Sequence, residues 1–180
     1  MKSKNPFKPL MTGAIACAIM FSIPAFAQDT KLSDAEIASV AVTANQIDID
    51  YAAIAKQKTK NVDVLKFAQT MATDHKSVID QAVALVTKLK VTPKDNAVSQ
   101  KLLADAVKTK KMLRSKSGNA FNKAYINNEV AYHKAVIDAV ENLLIPDAQN
   151  AELKSLLQNV LPVLKTHLEH ATMLQNKISK

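Results

Sequence analysis

From Gln28 to Lys180 the chain carries a single glycine, Gly118, and only three prolines, Pro93, Pro146 and Pro162. Glycine and proline are the residues that most readily end a helix or turn a hairpin. The long stretches between them are filled with Ala, Leu, Lys and Gln, which leaves helix as the regular structure favoured locally. Apolar residues recur every three or four positions through these stretches, the period of a helix with one buried face. The fold class is therefore all-α. Short connections between successive helices imply antiparallel neighbours, and the expected architecture is an antiparallel four-helix bundle with an extra short amphipathic helix between helices two and three.

The boundaries follow from caps and breakers. Ser33-Asp34-Ala35-Glu36 is a capping box, in which the serine hydroxyl and the glutamate satisfy each other's free amides. Helix one should start there and run to about Lys58. Thr59-Lys60-Asn61 makes a short turn, and helix two runs on to about Lys90 with the stripe Val64, Ala68, Met71, His75, Val78, Ala82, Leu85, Leu89. Val91–Asn96, with Pro93, is a loop. The short helix follows, with Leu102, Leu103, Ala106, Val107 and Leu113 on its apolar side, and Gly118 breaks it. Helix three is expected from Asn119 to Leu144 and Pro146-Asp147 should turn the chain. Helix four runs from Ala148 to Ile178, kinked at Pro162.

Residues 1–27 read as a cleavable signal peptide. Lys2, Lys4 and Lys8 form a basic start, Ala14–Ile23 is apolar, and Ala25 and Ala27 stand at −3 and −1 of a cut before Gln28. The apolar run is about ten residues, half of the roughly 20 that span a bilayer. Cys17 raises a lipoprotein alternative, weakened by the apolar residues that follow it. The domain expected after cleavage is residues 28–180, periplasmic or secreted, with outer-membrane association open. It has no cysteine, so packing, or packing with a ligand, must stabilise it without disulfides.

Four histidines follow the signal segment, and three of them, His75, His133 and His167, occupy apolar-stripe positions on three different helices. Helix one supplies Asp48, on a stripe with Ala41, Ala44, Tyr51 and Ala55. Bundle interiors build metal sites in this way, with facing helices projecting ligands to a common point. Imidazole and carboxylate suit Zn, Fe, Mn or Cu, and without thiolates a soft site is excluded. Asp74, Glu129 and the Glu169/His170 pair are further ligand candidates or hydrogen-bond partners. The alternative is a purely structural polar layer. Counting residues from the turns puts Asp48 and His75 within about 4–5 Å in height. The same count leaves His133 and His167 about 10 Å apart in height, with Glu129 closer to His167, so either the Pro162 kink absorbs part of the gap or the site is split.

The net charge of +8 falls to +5 without the three signal lysines, and residues 97–118 alone carry +5. Lys108, Lys110, Lys111, Arg114 and Lys116 are the candidates for contact with an anionic surface: lipid, lipopolysaccharide or an acidic envelope partner. A solvated helix face is the other reading. No aromatics are interleaved to stack on bases, which argues against nucleic acid. Phosphate-cradling glycine loops and nucleophile elbows are absent, so acyl transfer and nucleotide-dependent catalysis have no support.

Four motifs carry a family resemblance: Phe67-Ala68-Gln69-x-Met71-x-x-Asp74-His75, Gly118-x-x-Phe121-x-x-x-Tyr125, Glu129-x-x-x-His133 and Leu161-Pro162-x-Leu164-x-x-His167. In these the chain resembles the bacterial exported proteins grouped as domain of unknown function 4142, over about Ser33–Ile178. The resemblance implies a ferritin-like four-helix fold and places Asp74, His75, His133 and His167 at the family's motif positions. It implies no activity. Asp48 stands where a glutamate is expected and Tyr132 where an aspartate often precedes the histidine. The Glu-x-x-His pairs of ferritin-like di-iron enzymes do not occur here.

Overall fold

A computed structural model describes residues 31–179. All the regular structure of those residues is helical, with no strand among them: α1 (Asp34–Lys58), α2 (Val62–Leu89), α3 (Ala97–Arg114), α4 (Gly118–Ala139) and α5 (Ala151–Ser179). The expected signal segment, residues 1–27, lies outside the described residues. Among the described residues no helix is long and apolar enough to cross a membrane.

The caps sit where the side chains can make them. Ser33 and Glu36 close the capping box at the start of α1. Asn61 Oδ1 accepts from the amides of Asp63 and Val64 to open α2. Asn96 and Ser99 form a second box on α3. Gly118 sits at φ +53°, the left-handed region that favours glycine, and there the chain changes direction into α4.

The end of α4 differs from expectation. The helix does not stop at Leu144. It widens into a π-helical turn over Val140–Leu144 and closes with an α turn, Ile145–Asp147, so Pro146 lies inside the last turn rather than in the connection. Three residues, 148–150, then reverse the chain, and α5 begins at Ala151. Asn150 Oδ1 caps that helix at Glu152 and Leu153. Asp34 accepts from the amides of Gln149 and Asn150, and Asp147 accepts from the amide of Leu32, which ties this turn to the start of α1. Pro162 is accommodated within α5, which continues through it to Ser179.

α1 packs on α2 and α4 on α5, and the two hairpins close the bundle, while α3 lies mainly on α1. Only one stripe of α3 is buried, through Ser99, Ala106 and Leu113. Leu103 and Val107, expected on the apolar side, are 48% and 64% exposed. A helix resting mainly on one neighbour buries a narrow stripe, and these two lie beyond its edge.

The core has two apolar parts. One, around Phe67, Met71, Leu113, Phe121, Tyr125 and Ile126, fills the end near the α1–α2 turn. The other, around Ile37, Val40, Val140, Leu144 and Leu157, fills the opposite end. Each fully buried aromatic or branched side chain contributes about 1.5–3 kcal/mol of transfer free energy. Between the two parts every long helix of the bundle contributes a buried polar residue at the same level: Asp48, His75, Glu129, His133 and His167.

Candidate metal centre

The three rings meet. His75, His133 and His167 have centroid separations of 5.6, 5.2 and 5.4 Å, close to an equilateral triangle. All three are 4% exposed or less. Each offers one ring nitrogen, and those atoms lie within 4.8 Å of one another.

The outward nitrogens fix what the inward ones can do. Asn45 Nδ2 donates to the Ala41 carbonyl, which turns Oδ1 towards His75. His75 Nδ1, 2.7 Å from that oxygen, must carry the proton. His133 Nδ1 lies 3.0 Å from the Glu129 carbonyl, which only accepts. His167 Nε2 lies 2.9 Å from Asp74 Oδ2. With each outer nitrogen donating, a neutral ring leaves its inner nitrogen bare. His75 Nε2, His133 Nε2 and His167 Nδ1 are indeed buried without a hydrogen-bond partner. A ring held by an outside acceptor with its lone pair facing inward is the usual posture of a metal-ligating histidine.

Asp48 completes the layer. It is fully buried, and its Oδ2 lies 3.0 Å from His75 Nε2 and 3.5 Å from His133 Nε2. Neither carboxylate oxygen finds a hydrogen bond. A carboxylate facing bare imidazole nitrogens is repulsive until a cation, proton or metal, lies between them. Burial pushes the Asp48 carboxyl up, but once a proton sits on the facing ring nitrogens, the His75 charge and hydrogen bond and the His133 charge outweigh burial and hold the group below the ordinary carboxylate range. Glu129, one turn before His133, is raised well above its usual value, first by burial and then by the Asp48 charge, which favours its protonated form. His133 is pushed down to about 4 by burial, and burial lowers His167 as well.

The site is not split. His133 lies 14 residues before the helical end at Asp147 and His167 lies 16 after Ala151, so they differ by only two residues, about 3 Å of rise. The earlier count took the turn at Pro146-Asp147 and so placed all of the connection in helix four. Glu129 meets Asp48 and His133 rather than His167. Asp74 serves as the outer acceptor on His167. Glu169 is exposed and turned away, and His170 packs edge-on against Phe67 with centroids 5.1 Å apart. Sequence reasoning missed Asn45. The available signal was an amide in mid-helix, one turn before Asp48, where a good helix former would otherwise stand.

The basic helix is partly occupied by intramolecular pairs. Lys101 and Lys108 flank Asp105, and Lys110 reaches Asp50 of α1 at 2.8 Å. Lys116 is half-buried. Lys108, Lys111 and Arg114 are exposed, on the side of α3 that also exposes Leu103 and Val107.

The model of the family described as "Domain of unknown function (DUF4142)" matches residues 22–174. Comparison with curated proteins gives no match. Among solved structures the chain is similar to "CopM in the Cu(II)-bound form", with a TM-score of 0.63 and 15% identity over 82% of this chain and 99% of that one. At that identity the likeness concerns the fold.

Proposed function

The chain belongs to the DUF4142 family, and for it we propose an exported helical-bundle protein that binds one divalent transition-metal ion between His75, His133 and His167, with Asp48 as the fourth ligand. The observation that carries this reading is the set of three bare, buried nitrogens, each on a ring whose other nitrogen is held from outside. A purely structural polar layer would pair all of those atoms, because an unsatisfied buried polar group costs about 1–3 kcal/mol; His75 Nε2 has Asp48 Oδ2 at 3.0 Å, but His133 Nε2 and His167 Nδ1 have no hydrogen-bond partner. Three imidazoles and a carboxylate favour Cu(II) or Zn over Mg or Ca. Cu(II) is the first choice, supported by the Cu(II)-bound state of a protein of similar fold. Asn45, Asp74 and the Glu129 carbonyl hold the rings, and burial beside Asp48 favours the protonated form of the Glu129 carboxyl.

The test is elemental analysis of untagged protein prepared without chelator, followed by calorimetric titration with Cu(II) and Zn. One equivalent bound, lost in His133→Ala, is expected. An absence of bound metal, together with an unchanged melting temperature on adding either ion, would sink the proposal.

A second reading, docking to an anionic envelope surface, draws on the exposed Leu103, Val107, Lys111 and Arg114 on α3. Apolar and cationic side chains on one exposed helix face match a lipid headgroup boundary.

A further inference from the structure

Next to the histidine layer the bundle is hollow. A cavity of about 350 Å³ reaches from Asp48, His75 and His133 to Leu144 and Leu153. Its wall on α1 runs from Ala38 to Tyr51, thirteen positions apart, so the space is elongated along the bundle by about 20 Å. It exists because Ala41, Ala44, Ala82 and Ala139 stand where a bundle core ordinarily carries Leu or Ile. Polar groups gather at the metal end, while the far end is lined by Val and Leu. Asp105 and Thr109 of α3 and the exposed Ala131 and Ala135 of α4 also line it, which makes the gap between these two helices its way in.

Apolar walls with a few convergent polar groups at one end are the usual form of a small-molecule pocket. At about 30 Å³ per non-hydrogen atom, the share of a water molecule in the liquid, the space holds about twelve such atoms. The electrostatics select the head group. A divalent ion beside ionised Asp48 leaves one net positive charge, which an anion balances. Without the ion, the Asp48 carboxylate and three lone pairs repel an anion.

We infer that the cavity binds a linear amphipathic carboxylate of about ten carbons. Its head takes an open position on the ion held by His75, His133 and His167, and its alkyl tail lies between Ala44, Ala82 and Val140. This rests on the metal-binding reading above and gives that site a ligand class.

The experiment loads the protein with Co(II), whose visible spectrum reports its ligands, and titrates decanoate, octanoate and decanol by absorbance and calorimetry. Decanoate shifts the spectrum and binds, and decanol leaves the spectrum unchanged. Octanoate, two methylenes shorter, binds about fifteenfold more weakly, at about fourfold per buried methylene. Metal-free protein binds decanoate at least about tenfold more weakly than loaded protein, from the lost head-group attraction. Ala82→Leu and Ala139→Leu narrow the tail space and abolish decanoate binding while metal affinity stays unchanged. If neither variant folds, the chain-length series on the native protein carries the test. Binding independent of chain length, equal binding to metal-free protein, or an unchanged Co(II) spectrum overturns the inference. If Co(II) binds and decanoate does nothing, only this inference falls; if no metal binds, the metal reading falls with it.

Discussion

Replacing Asn45 by Leu, a side chain of similar size, removes the acceptor that holds His75 Nδ1 at 2.7 Å and leaves the metal ligands untouched. Without it, nothing fixes which nitrogen of His75 carries the proton, and binding must select the useful tautomer and orientation. Loss of such a partner costs about 10–100-fold in metal affinity. A metal at 100 times its dissociation constant stabilises the native protein by about 2.7 kcal/mol. After a 10–100-fold loss the same concentration supplies about 1.4 to 0.4 kcal/mol. At about 2–4 °C per kcal/mol for a domain of this size, the metal-induced rise in melting temperature should shrink from about 5–11 °C to about 1–6 °C. The assay is scanning calorimetry of metal-free and metal-loaded protein, paired with competitive Cu(II) titration. A general loss of stability would lower both curves together, whereas a positioning role closes the gap between them. In a His75→Ala background, Asn45→Leu should have no further effect on Cu(II) affinity, because the ring it positions is gone. Unchanged affinity in the single variant, or an undiminished loss in the double variant, would refute the role given to Asn45.

The remaining predictions concern pH and the basic face. His133 titrates near 4 in the folded protein against 6.5 unfolded, so between those values the unfolded chain binds more protons and metal-free protein loses stability as pH falls. Its share is about 3 kcal/mol, and His167 acts in the same direction. Glu129, raised in the fold, opposes this above pH 4.5, since the native state keeps a proton the unfolded chain gives up. Glu129→Gln removes this opposition and should steepen the acid loss. Urea melts between pH 4 and 7 check both the sign and the steepening. On α3, replacing Lys108, Lys111 and Arg114 by Gln should abolish salt-sensitive sedimentation with anionic vesicles at little cost in stability; unchanged sedimentation would end the docking reading. Lys110→Gln should instead cost about 0.2–1 kcal/mol in denaturant melts, because Lys110 pairs with Asp50.

The helices were legible because their signals are local. Ser33 and Glu36, Asn61 and Gly118 act on backbone groups a few residues away, and the stripes of α2 and α5 repeat at the helical period. Leu103 and Val107 were misplaced because the width of a buried stripe depends on how many neighbours a helix has. The last turns of α4 were misplaced because Pro146 is tolerated at the start of a helical turn as readily as in a connection.

By itself, the sequence determined that the described chain is helical, where its first helices begin, and that His75, His133 and His167 face inward. Periodicity and capping are short-range, and each is complete within one or two turns. Only the tertiary structure decided that the three rings share one level, that Glu129 sits with Asp48, that Asn45 orients His75, and that alanines on three helices leave one continuous cavity. Height along a bundle is the sum of every turn and helix end before it, so an error of three residues at Asp147 became several ångströms at His167. Burial, which makes Glu129 reluctant to lose a proton and His133 reluctant to take one, arises only when the helices close around them.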